Sequence, residues 1–119
     1  MAQIITSRNL ELSEILKDQS LGVDFDSPII DFKEMNAAFI QAVVTNPSLL
    51  TGEFVIKVSI VCDPATFVPY PGSSRTLNGS CNNFGWEFCC VAFRYAMICY
   101  TSNTTTDGVV DLYARAKRT

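Results

Sequence analysis

FRYAMICYTSNTTTDGVVDLYARAKRT, Phe93 to Thr119, sets two alternating apolar runs on either side of a loop made almost wholly of Thr, Ser, Asn, Asp and Gly. In YAMICYT, Tyr95, Met97 and Cys99 share one face and Ala96, Ile98 and Tyr100 the other, because successive strand side chains point to opposite sides. Both faces are apolar, which predicts a strand that is central in its sheet or covered by a partner subunit. In the last run Val110, Leu112 and Ala114 face inward, and Asp111, Tyr113 and Arg115 face water. The two runs read as a hairpin, with 101–108 as its exposed tip.

Upstream, WEFCCVAF sets Trp86, Phe88 and Cys90 against Glu87, Cys89 and Val91. Carried on to Tyr100 it would give a strand of about 15 residues, roughly 50 Å long. That is too long for so small a chain, so a bend is expected near Phe93-Arg94. EFVIKVSIV has the cleanest period of two: Phe54, Ile56, Val58 and Ile60 inward, Glu53, Val55, Lys57 and Ser59 outward. In AAFIQAVVT, Ala38, Ile40, Ala42 and Val44 line one face, and Asn46-Pro47 ends the run because proline removes a ladder donor. The short connection NPSLLTG predicts that these two segments pair antiparallel.

Residues 63–85 hold three of the five prolines and are rich in Gly, Asn and Ser. A loop longer than about 12–15 residues in a compact domain is usually functional or mobile. A short edge strand is expected at Thr66–Val68, and Phe67, Tyr70, Arg75 and Phe84 are the candidate recognition residues, since aromatics and arginine dominate interface energetics. Residues 1–25 mix signals: Leu12, Ile15 and Leu16 sit at helical spacing, while Leu10 and Leu12 alternate as in a strand. The segment reads as an extended arm, with Leu12 and Ile15 as its candidate contacts, ahead of a single domain at 26–119.

Five or six strands, regular turn chemistry and no convincing amphipathic helix indicate an all-β protein, an antiparallel β-sandwich. A jelly roll is preferred, with a Greek key as the alternative. The antibody pattern fails because Trp86 follows Cys62 and Cys81 and directly precedes Cys89-Cys90.

Net charge is −3, with seven acidic and three basic residues in 1–34 against five and six in 35–119. No basic field exists to hold phosphate backbones, so nucleic acid is excluded as a partner. No run approaches the ~18 apolar residues of a membrane span, and the first residues lack the features of a secretory signal, so a cytosolic product with thiols is expected. Cys62 and Cys81 flank the long loop and are the candidate disulfide.

The chain has no histidine. General bases at neutral pH usually recruit one, a cysteine nucleophile would lack its activating imidazole, and no CxxC provides a zinc pair. Asp24 and Asp26 sit in a turn beside Pro28 and read as turn caps. No catalytic, cofactor-binding or metal site is expected, and the chain reads as a non-enzyme.

A glycine-preceded strand (TGEFVIKVSIV), a variable loop, an aromatic strand (WEFCCVAF), then FRYAMICYT, a Thr-rich tip and GVVDLYARAKR resemble small β-sandwich virion structural proteins of tailed bacteriophages. The resemblance covers about residues 36–119 and rests on strand and loop order. It implies capsid decoration, head-fibre or neck and tail accessory roles: a homo-oligomer docking on other virion proteins, assembled in the bacterial host cytoplasm. The competing expectation is a glycan-binding module with Tyr70, Phe84 or Trp86 as the sugar platform.

Overall fold

A computed structural model describes residues 4–6, 12–33, 35–45, 52–77, 83–89, 91–102 and 108–117. The strands are β1 (Ile4–Thr6), β2 (Leu12–Ser20), β3 (Phe25–Asp26), β4 (Ile29–Asp31), β5 (Ala37–Thr45), β6 (Glu53–Ser59), β7 (Val68–Pro69), β8 (Arg75–Thr76), β9 (Asn83–Phe88), β10 (Tyr95–Thr101) and β11 (Val109–Lys117). Among the described residues one 3₁₀ turn, Pro64–Thr66, precedes β7, and no helix is long and apolar enough to cross a membrane. One sheet runs β1-β4-β10-β6-β7, with β3 also on β10 and β8 also on β6; the other runs β2-β11-β5-β9. All pairings are antiparallel except β1 with β4. The molecule is the expected β-sandwich.

Neither expected hairpin forms. β5 and β6 lie in opposite sheets, as do β10 and β11, and β6 pairs with β10 while β5 pairs with β11 and β9. The alternation fixes which face of a strand is buried, but two facing sheets bury the same kind of face. The connections at 46–52 and 102–108 therefore cross from sheet to sheet, a gap of about 10 Å. The bend expected near Phe93-Arg94 is a crossing of the same sort, from β9 in one sheet to β10 in the other.

The interior follows the predicted faces. Ala38, Ile40 and Ala42 of β5 stand opposite Phe88, Trp86 and Phe84 of β9, so two small residues and one branched one make room for three rings. Facing them, Phe54 of β6 is fully buried, with ring centroids 4.8 Å from Tyr100, 5.8 Å from Phe84 and 6.3 Å from Trp86. A second aromatic group, Phe32, Tyr70, Phe88 and Phe93, closes one end of the core at 5.0–5.9 Å. β10 is central, with Ala96, Ile98 and Tyr100 inside; Met97, on its outer face, is also buried.

Residues 12–20 are not a loose arm. β2 pairs along β11 from Val109↔Ser20 to Arg115↔Leu12, with two register shifts. Between Leu112↔Leu16 and Tyr113↔Glu14, Ile15 is the extra residue of a β-bulge, which lets Ile15 and Leu16 both lean toward the core. The second shift coincides with Asp18, at φ 53, whose amide donates to Asp111 Oδ1 at 2.7 Å while Lys17 Nζ lies 3.7 Å from Oδ2. Each bulge slips the period of two by one residue. The bulge at Ile15 is what lets Ile15 and Leu16, adjacent in sequence, share the buried side, a pairing that also suits a helix.

Where the chain crosses toward β10, Arg94 clasps Asp31 of β4 through Nε–Oδ1 at 3.0 Å and Nη2–Oδ2 at 3.2 Å, and the Lys33 amide adds 2.9 Å to Oδ1. Burial pushes the Asp31 carboxyl up, but the hydrogen bonds from Arg94 and Lys33 and their charges outweigh it, and the group lies below its ordinary 3.8. A lowered folded pKa stabilises fully above the unfolded value and is lost as pH falls through the folded one. Asp31→Asn should therefore lower the urea midpoint at neutral pH and flatten its decline below pH 4, measured as midpoint against pH.

Candidate interaction surface

The segment after β6 turns sharply, and polar groups fix its shape. Ser59 Oγ lies 2.7 Å from Thr66 Oγ1 and accepts from the Val61 amide at 3.0 Å. Thr66 Oγ1 lies 2.7 Å from the Asp63 carbonyl, and Asp63 caps the 3₁₀ turn by accepting from the Ala65 amide at 3.0 Å. β6 ends at Ser59, so Ile60, expected inward, projects into water with 73% of its surface exposed. Val61 at 51% and Val68 at 57% stand in the same short segment. Apolar side chains held in water by a fixed turn offer any partner their burial without the cost of ordering the loop.

The residues expected to carry recognition are distributed differently. Phe84 and Ile15 belong to the core, as does Trp86. Tyr70 is half-buried, edge-on to Phe88 at 5.0 Å and Phe93 at 5.7 Å, and seals the end of the sandwich. Phe67 is half-buried, and Leu12 lies in β2 with its side chain outside the described residues. The sugar platform thus loses Phe84 and Trp86 to the interior, where large apolar rings gain most from burial.

Arg75 is a brace. Its guanidinium stacks over Trp86 at 5.6 Å and donates to the carbonyls of Gly72 at 2.8 Å, Ser74 at 3.0 Å and Gly85 at 3.5 Å. Beneath it, Ser73 is buried: its carbonyl accepts from Trp86 Nε1 at 2.7 Å, and its hydroxyl accepts from the Ile56 amide at 3.1 Å and donates to the Tyr70 carbonyl at 2.7 Å. The 70–77 loop is therefore stitched to β6 and β9 and closes one flank of the sandwich.

Cys62 is an exposed free thiol, and Cys81, its expected partner, lies outside the described residues. Cys89 is also free and exposed. Burial, then a hydrogen bond to Asp26 and its charge, push the Cys99 thiol up to about 12, so it stays protonated and unreactive at neutral pH. On the outer face of the four-stranded sheet, Ala37, Phe39, Glu87, Cys89, Arg115 and Lys117 line an open groove of about 610 Å³.

The fold has a solved counterpart. The crystal structure of the SPBc2 prophage-derived protein YomS matches with a TM-score of 0.63 over 92% of this chain and 94% of its own, at 12% sequence identity. At that identity the likeness is one of fold. Comparison with protein-family models and with curated protein sequences finds no match.

Sequence reasoning missed Ile60 and Val61 because the alternation of EFVIKVSIV runs through them without a break. The available signal was the Asp63-Pro64 pair just beyond, which marks a capped turn and ends the strand early.

Proposed function

We propose that this chain is a non-enzymatic structural subunit of a bacteriophage virion, of the capsid-decoration, head-fibre or neck and tail accessory kind. It works by self-association and by docking on neighbouring virion proteins, and is assembled in the cytoplasm of a bacterial host. The observation that carries the reading is the clamped turn that holds Ile60, Val61 and Val68 in water. Support comes from a fold shared over nearly the whole length with a prophage-derived protein, and from a sequence without histidine. The docking energy would come from burying three branched side chains, about 1.5–3 kcal/mol each when fully covered.

The test is particle composition. Phage particles banded in a density gradient from the host that carries this gene should contain the chain at a fixed ratio to the major capsid protein. Ile60→Asp with Val61→Asp should leave it folded in the lysate and absent from the band. A wild-type chain abundant in the lysate and missing from the particles would contradict the virion reading.

A further inference from the structure

The outer face of the four-stranded sheet carries a row of side chains across three strands: Glu87 of β9 stands opposite Phe39 of β5, and Phe39 opposite Arg115 of β11. Two residues along β5, Ala37 stands opposite Lys117. Alternate residues of a strand share a face, so these side chains meet on one side of the sheet. Ala37 and the ring of Phe39 form the floor of the open groove of about 610 Å³, with Arg115 and Lys117 on one wall and Glu87 on the other. That volume falls within the range of small-ligand sites.

Phe39 is 43% exposed. Its ring leans across β9 until Cζ and Cε1 lie over Gly85, where a Cβ would sit 2.6 Å and 3.1 Å from them. The missing side chain at Gly85 lets the ring rest on the sheet, closed by backbone on one side and open on the other. An outward ring held in this way is a platform for polarised C–H groups, which the negative face of a π-system attracts.

Charge and pairing select the occupant. The charged side chains of the groove are two cations and one carboxylate, a positive balance within a chain of net charge −3. Phe39 is already paired on both sides, by β11 and β9, so the floor offers no backbone ladder to an extended peptide, which draws its affinity in sheet recognition from such bonds. A sugar ring needs no ladder. It brings a C–H face for the platform and hydroxyls for a carboxylate acceptor, and an acidic sugar adds a charge opposite to that of Arg115 and Lys117.

We propose that this groove binds a carboxylated sugar of an anionic polysaccharide, with the sugar ring on Phe39, its carboxylate toward Lys117 and Arg115, and its hydroxyls toward Glu87. The surface lies on the opposite sheet from the strand that leads into the Ile60–Val61 turn, so sugar binding and virion docking stand or fall separately.

Isothermal titration calorimetry of the full chain with trigalacturonate tests this, beside the neutral galactose trimer and triglutamate. The wild type should bind trigalacturonate saturably, more weakly as salt rises, and at least about tenfold more tightly than either control. Lys117→Glu should weaken that binding about tenfold or more and leave the neutral trimer unaffected. Phe39→Ala should weaken it to the same degree with an unchanged circular dichroism spectrum, and Lys117→Glu decides alone if the alanine variant unfolds. No saturable binding of trigalacturonate at up to about 10 mM, or binding that the folded variants leave unchanged, would overturn the proposal. Triglutamate binding as tightly as the sugar acid would overturn it in favour of an acidic peptide.

Discussion

Trp86→Ala should lower the free energy of unfolding by about 3–5 kcal/mol, the range for removing a large aromatic side chain from a packed core. Trp86 is 2% exposed, packs edge-on to Phe54 at 6.3 Å and donates its indole N–H to Ser73 at 2.7 Å. Truncation leaves a cavity between the sheets and strands the Ser73 carbonyl, so the packing and polar losses add. Trp86→Phe separates them: it keeps most of the ring and loses the hydrogen bond, for about 1–3 kcal/mol. Urea midpoints at constant m-value read both effects. A sugar platform would instead tolerate the alanine with little change in stability, because an exposed ring contributes little to folding.

Removal of residues 1–20 should abolish cooperative unfolding altogether. β2 pairs with β11 at six positions and carries the buried Ile15, so its loss uncovers the edge of β11 and opens the core. At about 0.5–1.5 kcal/mol per ladder bond and about 1.5–3 for the isoleucine, the sum is comparable with the 5–15 kcal/mol that holds a whole domain together. Among the described residues, removal of 1–10 takes β1 alone, three residues on the edge of the other sheet. That shorter truncation should keep a cooperative transition at a lower midpoint, followed by circular dichroism against urea. A detached arm would predict that both truncations fold equally well.

The faces of β5, β6, β10 and β11 were legible in the sequence because period-two alternation is set by the strand itself. Phe54 and Leu112 point inward as the pattern sends them, and Ala38 with Ile40, like Ala96 with Ile98, share one buried face as it requires. The sheet to which a strand belongs was not legible. The choice between a hairpin and a crossing depends on how connections such as 46–52 span the gap, and both outcomes bury the same residues. β2 was misread for a local reason: its two bulges break the period.

The candidate surface was the least legible part. Tyr70, Phe84 and Arg75 are the residue types that recognition favours, yet in a sandwich of 119 residues large rings are also what fills the interior. Their positions were decided by tertiary pairing, Tyr70 against Phe88 and Phe93, and Arg75 against Trp86. Phe39 lies on the outer face of β5, and its closeness to Gly85 follows from a register that only the folded chain reveals.

Self-association of an intact two-sheet domain is the central claim, and the absolute mass of the full chain by light scattering after size exclusion tests it most directly, with and without reductant. The account predicts a mass above the 13.1 kDa of a single chain, unchanged by reductant, because the proposed association is non-covalent. A mass of 13.1 kDa at every concentration, or an oligomer that reductant dissolves, would contradict it.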